Sequence, residues 1–413
     1  MTTRHQPYYD LLEAAQAGGC PLCRLARRSA DRYLDILSYE NINDVGVRER
    51  LRASRGLCRR HADHLLGELH DGLGTAILYR DLLRTLSQEL RTTGGRRPAA
   101  LAPAGPCPAC QAQARAIALF GETLTEHAGD PVLRRALDQG GGLCQPHRLL
   151  LPAHRRPALV DLLRRPLAPD WPALAGISGG LPADDRTWWI GLALPAPADE
   201  HAPWPPGPAL CPACAAAGGA VRQYLDRVAA APADPSRVLA LCPDHRQALA
   251  RRGVPAPWVG EAADGGAHPP GPTGWWAWIR GWRRPGAVGR ILATLDTWRR
   301  QCPACQAGLT AAVAVVDCLH ARAETALFCL AHLVLALQRR GPWPRLIARH
   351  LQAWDWLATE LGEYIRKNDY RFRGEPWGPE ATAPARAVAL VAGRRPADGC
   401  EEERGAPRAL PSD

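Results

Sequence analysis

With 413 residues, 46% of them hydrophobic, the chain is long enough for two or more domains and too apolar to be intrinsically disordered. The N-terminal MTTRHQPYYD has no positive-then-apolar leader pattern, and no uncharged apolar run approaches the roughly 20 residues of a bilayer span. A cytoplasmic protein without a transmembrane segment is therefore expected. The formal charge of +10 is almost wholly arginine, with Lys367 the only lysine. Pairs such as Arg27-Arg28, Arg134-Arg135 and Arg339-Arg340 are scattered, which suits solvated helix faces better than a phosphate-tracking stripe.

Along the chain a Cys-Pro-x-Cys recurs four times, each followed 23 to 34 residues later by a Cys-x-x-His, and these motifs use twelve of the fourteen cysteines. Read locally, they form four quartets: Cys20, Cys23, Cys58 and His61; Cys107, Cys110, Cys144 and His147; Cys211, Cys214, Cys242 and His245; Cys302, Cys305, Cys329 and His332. Three thiolates and an imidazole make a tetrahedral donor set suited to Zn²⁺, and pairs two residues apart reach one ion without strain. In a reducing compartment such spacing favours metal ligation over structural disulfides.

The first pair opens a predicted helix. Proline follows the first cysteine each time, at Pro21, Pro108, Pro212 and Pro303, and suits the first helical position, so Cys20, Cys107, Cys211 and Cys302 are expected N-caps. Leu22, Leu25, Ser29, Tyr33 and Ile36-Leu37 then share a face. Short helices are expected over Val45 to Ser54 and Pro131 to Gln139. One from near Arg59 through Leu82 carries His61 one turn in. In the second motif group, Ala112, Ile117, Leu119-Phe120 and Leu124 align more loosely.

Both ligand pairs thus belong at helix N-termini, whose partial positive charge and free N–H groups stabilise thiolates. The expected fold is mainly α: four repeated helical units, each clipped by a Cys3His metal site, with Pro/Gly-rich linkers. The units are 1–92, 107–166, 205–252 and 287–341, with a C-terminal helical extension over 342–392 and a disordered tail over 393–413. Residues 91–106, 194–209 and 253–274 read as linkers. In the two shorter units the return from helix to metal must be nearly extended, at about 3.3 Å per residue.

Several residues receive a bland reading. His64 competes with His61, but Leu150, Ala248 and Leu335 hold its place in the other motifs, so the repeat selects His61. His127, His154, His320 and His350 are expected to be ordinary helix or loop residues, Cys318 a core residue and Cys400 unused. Gly72-Leu73-Gly74, short of a nucleotide fingerprint, reads as a close-packing or hinge site. The Trp/Arg run from Trp275 to Arg284 could stack on bases, meet a membrane or hold a partner, with packing between units the leading reading.

The stretches YYDLLEAAQAGGCPLC (8–23), YLDILSYENINDVGVRERLRASRGLCRRH (33–61) and GEYIRKNDYRFRGEPWG (362–378) resemble an uncharacterised bacterial family with paired CPxC and CxxH motifs. The resemblance implies metal ligands at the sixteen motif positions and a cytoplasmic helical protein, and brings no reaction with it. Four Zn²⁺ are the expected cofactors, with an iron–sulfur cluster held by three Cys and one His as the alternative. The expected function is a zinc-stabilised helical scaffold for non-enzymatic binding or regulation. Its partner is expected to be a protein, nucleic acid being weakly supported. The alternative is a redox- or metal-responsive regulator. Catalysis is disfavoured, because catalytic zinc keeps a coordination position open and no HExxH, P-loop or nucleophile–base pair is present.

Overall fold

The computed structural model describes residues 4–144, 147–148, 151, 158, 211–230, 237–238, 240–250, 288–289, 291, 293, 300–372 and 374–393. No strand occurs among them. Outside them lie the expected linkers 194–209 and 253–274, the Trp/Arg run 275–284, His154, Cys400 and the tail beyond Gly393. The chain divides into two compact units. One comprises Met1–Asp71, Pro103–Thr187 and Gln223–Gln306, the other Gly72–Ala102, Trp188–Arg222 and Ala307–Asp413.

In the first unit α1 (Gln6–Gln16) is followed by α2 (Pro21–Tyr39), α3 (Val45–Ala53), α4 (Arg59–Asp63) and a π turn over His64–Glu68. The helix expected to run from Arg59 through Leu82 is thus broken. His70 takes a left-handed φ of 52° after the π turn, and a new helix, α5 (Gly72–Thr93), starts in the second unit. The expected linker after it contains a further turn of helix, α6 (Pro98–Leu101), which buries Leu101. The first unit resumes with α7 (Pro108–Glu126) and α8 (Pro131–Gly140).

α2 and α7 pack against each other and run antiparallel. Leu22 and Leu25 at the start of α2 share a core with Leu124 at the end of α7 and Ala128 just beyond it. Ala26 meets Ala114 and Ile117, and Ser29 Oγ donates to the carbonyl of Ala112 at 3.1 Å. The buried stripe of α2 is Leu22, Leu25, Ala26, Ala30, Leu34 and Leu37, close to the expected face, whereas Leu119 of α7 faces solvent. α1 and α8 close the bundle. Tyr8 Oη donates to Asp130 Oδ1 at 3.2 Å, and the same carboxylate caps α8 by accepting the N–H groups of Val132 and Leu133.

Beyond these come α9 (Pro212–Ala230), α10 (Pro243–Ala250), α11 (Pro303–Ala321), α12 (Leu330–Arg340), α13 (Pro344–Lys367) and α14 (Ala383–Ala392). In the second unit α5 and α13 form the main helix pair, with α14 packed on both. A Cβ at Gly72 would collide with Tyr364 Oη, so Gly72 is a site of close packing. Lys367 reaches Glu380 Oε1 at 2.6 Å, and Arg386, almost fully buried, donates to Glu360 Oε2 and the carbonyl of Pro379. Cys318, expected in the core, is exposed on α11. That helix is, among the described residues, the one long and apolar enough to cross a membrane by length and composition, a feature the sequence reading passed over.

Candidate metal centres

Each ligand pair builds its own helical turn. The carbonyls of Cys20, Cys107, Cys211 and Cys302 accept from the N–H four residues on, as do those of Cys58, Cys144, Cys242 and Cys329. The first cysteine of a pair therefore stands at the helix entrance and the second donor one turn in, both facing the same way. Cys20 and Cys107 are the N-caps of α2 and α7, as expected, and Cys58 and Cys329 take the same position before α4 and α12.

The partners are exchanged relative to the local quartets. Cys20 and Cys23 meet Cys144 and His147, while Cys58 and His61 meet Cys107 and Cys110. Cys211 and Cys214 meet Cys329 and His332, and Cys242 and His245 meet Cys302 and Cys305. Each Cys-Pro-x-Cys thus joins a Cys-x-x-His from a different motif, and the first and last pairs of each half of the chain enclose the middle two. The first, second and fourth of these groups lie in the first unit and the third in the second.

Helix length explains the correction. α11 rises about 27 Å from Pro303 to Ala321, its turn hydrogen bonds continue to Glu324, and the five steps from there to Cys329, fully extended, recover only about 18 Å. A chain leaving Cys302 along that helix falls short of returning to it. In the antiparallel pair of the first unit, Ser29 of α2 instead bonds to Ala112 near the start of α7, so the later turns of α2 lead toward Cys107. The Cys-x-x-His that follows α2 therefore finds the cysteines of α7. At the other end two glycine-rich entries cross. Gly19 donates its N–H to the carbonyl of Gly140 at 2.5 Å, setting Cys20 beside Cys144, and a Cβ on Gly140 would collide with the carbonyl of Ala15.

Within every group the donor atoms lie within 4.8 Å of one another. Sulfur pairs stand 3.6 Å apart in three groups and 3.9 Å in the Cys242–Cys305 pair. Histidine Nδ1 lies 3.1 to 3.5 Å from its three sulfurs, from Cys144–His147 at the short end to Cys107–His61 at the long end. Around a Zn²⁺ with sulfur at ~2.3 Å and nitrogen at ~2.0 Å, tetrahedral edges are about 3.8 Å and 3.5 Å. The donors fit a single ion. All twelve cysteines are buried, as are His61, His147 and His332, with His245 half-buried.

The electrostatics of the cages favour a cation. Burial by itself would lower the pKa of His147, but the thiolates of Cys144 and Cys20 outweigh it and push the value up to about 10. His245 is likewise pushed up to about 10, against burial, by Cys242 and Cys302. Hydrogen bonds from Cys242 and Cys305 hold the Cys302 thiol well below its ordinary value, while Cys305 is pushed up by Cys242, Cys302 and burial. Protons alone leave one thiol ionised at the expense of another; a dication would let all three ionise.

Around the donors stand residues with no repeated motif. Arg148 and Arg246 each follow a ligand histidine and donate Nε–H to the carbonyl just before the ligand cysteine, Leu143 at 3.0 Å and Leu241 at 2.8 Å. The Arg after Cys-x-x-His was visible in the sequence, but only two of the four motifs carry it. Gly393, at φ 77°, ends α14 so close to the third group that its Cβ position lies 3.6 Å from Cys214 Sγ and 3.7 Å from Cys329 Sγ. His350, expected to be ordinary, is fully buried and bonded to the residue before Cys329. Neither contact had a sequence signal. His64 bonds Asp31 at 3.2 Å and stands outside the donor groups. Asp63 pairs with Arg59, and the side chain of Asp244 is outside the described set.

No family model matches the chain, and no solved structure matches it. A curated relative from Caldicellulosiruptor sp. (strain Rt8B.4), named "Uncharacterized 23.9 kDa protein in xynA 3'region", is 37% identical over 75 residues. The matched stretch covers 18% of this chain and only 36% of that protein, so the likeness is to a part of each.

Proposed function

We propose that the protein is a zinc-stabilised helical scaffold holding four Zn²⁺, with a non-enzymatic binding or regulatory role. The observation that carries this reading is the fourfold recurrence of a compact three-sulfur, one-nitrogen cage inside a helical core. Four protein donors complete a tetrahedron around each ion, which is the composition of structural rather than catalytic zinc. An iron–sulfur cluster interposes several atoms between its ligands, and donors all within 4.8 Å of one another weigh against it.

Twelve thiolates and four dications together lower the formal charge of +10 by four, to about +6, which favours a protein partner over nucleic acid. A reducing, cytoplasmic setting suits thiols used as ligands rather than in disulfides. The resemblance to a bacterial family with paired CPxC and CxxH motifs is consistent with this reading and brings no reaction with it. Elemental analysis of the purified full chain tests the proposal. About four zinc per chain in a colourless protein is the expected result; iron with labile sulfide, or absence of bound metal, would overturn it.

A further inference from the structure

Two of the three donor groups in the first unit are nested. The inner one joins His61 to Cys107 across 46 positions, and the outer one joins Cys23 to Cys144 across 121. They also sit at opposite ends of one object, the antiparallel α2–α7 pair. The outer centre includes the entrance of α2, and the inner centre includes the entrance of α7. From Cys20 to Ser29, which bonds to Ala112 in the first turns of α7, α2 rises about 14 Å, and the two donor groups share no residue, so they are linked only through the helices between them.

We propose that these two centres load metal cooperatively, the inner before the outer; the inference rests on the metal-binding reading above. Two physical effects produce the order and the coupling. Closing a loop of 46 positions costs less chain entropy than closing one of 121, an advantage of about fourfold in affinity for the inner centre. Once the inner centre is closed, the loop left for the outer one shrinks to about 70 positions, worth roughly another factor of two.

The larger effect is docking. An ion at the inner centre fixes the start of α7 to α4, the next ligand-bearing helix after α2, and with it favours the register in which Ala26 packs with Ala114 and Ile117 and Ser29 bonds to Ala112. That same register carries α8 and the Gly140 entry back to Gly19, where Cys144 joins Cys20 and Cys23. Packing that must form for either ion is already in place for the second. Coupling of this kind is commonly 5- to 150-fold, and linkage makes it equal in both directions.

The experiment uses the full chain purified with its metal, graded chelator, pulsed alkylation of thiols and peptide mass spectrometry. Cys20, Cys23 and Cys144 are expected to become labelled at lower chelator concentration than Cys58, Cys107 and Cys110. His61→Ala should shift half-labelling of the outer cysteines to at least about fivefold lower chelator. His147→Ala should shift the inner cysteines by the same factor from their higher starting point. Outer cysteines that keep the wild-type midpoint in His61→Ala, or outer cysteines labelled last in the wild type, would overturn the proposal. The wild-type order stands as a test even if a variant fails to fold. Protein that carries no metal at purification would instead refute the metal-binding reading itself, a result distinct from independent loading.

Discussion

Phe328 donates its backbone N–H to Nε2 of His350 at 3.0 Å, one residue ahead of the ligand Cys329. The opposite ring nitrogen, Nδ1, faces the carbonyl of Leu346 at 2.8 Å, so a neutral ring whose Nε2 accepts from Phe328 carries its proton on Nδ1, while Nε2 also lies 3.1 Å from the Phe328 carbonyl. His350→Ala should leave the Phe328 N–H buried without an acceptor and cost about 1–3 kcal/mol, read as a lower denaturant midpoint. Burial lowers the His350 pKa. A depressed histidine value means that the folded form binds fewer protons than the unfolded one, so stability drains away as pH falls below about 6.5. The variant should lose less stability than the wild type between neutral and acidic pH; equal losses would contradict this role.

Gly140 makes a second prediction, because its backbone lies where Cβ would meet the Ala15 carbonyl. Gly140→Ala should force the two glycine-rich entries apart at a cost of about 1–3 kcal/mol. The damage should concentrate at Cys20, Cys23 and Cys144, seen as faster alkylation there than at the third group. Gly105→Ala, where a Cβ would meet nothing within 4 Å, is the control.

Arg386 is buried against Glu360 in the second unit. Burial raises the Glu360 carboxyl even though Arg386 opposes it. Arg386→Met should leave that acid without its partner and cost about 3–5 kcal/mol by chemical denaturation. Changing Glu360 to Met as well should recover most of the loss, whereas a double variant as unstable as the single one would show that packing, not charge, is responsible.

Cys318 separates ligand from bystander. It is exposed on α11 and belongs to none of the four donor groups. Cys318→Ser should keep the full metal content and stay within about 0.5 kcal/mol of the parent. Cys305→Ser, from the same helix, should lose about one equivalent of metal.

Which residues gather into the four Cys3His groups was legible in the sequence because the motif repeats: a fixed two-residue spacing and a proline after the first cysteine specify local turn geometry, which is a short-range property. Which pairs meet is a long-range property, decided by the length of α11 against the few residues before Cys329 and by the antiparallel packing of α2 on α7. The π turn after His61 was hidden for a related reason, since Leu65, Leu69 and Ile77 keep an apolar rhythm across a backbone that breaks at His70. Leu101, Gly393 and His350 gain their surroundings from elements distant in the chain, and nothing within a few residues of them announces it.

The enclosing order of the pairs also sets a schedule for the emerging polypeptide. Cys20 and Cys23 leave the ribosome first, yet the donors that complete their cage come last in the first half of the chain. At about 5–20 residues per second, the 121 positions from Cys23 to Cys144 take roughly 6 to 24 s to synthesise. Throughout that interval the first two thiols must wait uncommitted, neither oxidised nor captured by the Cys58 and His61 that appear beside them in sequence. Of the donors in these two groups, Cys20 and Cys23 are therefore the ones that spend longest exposed to a wrong partner.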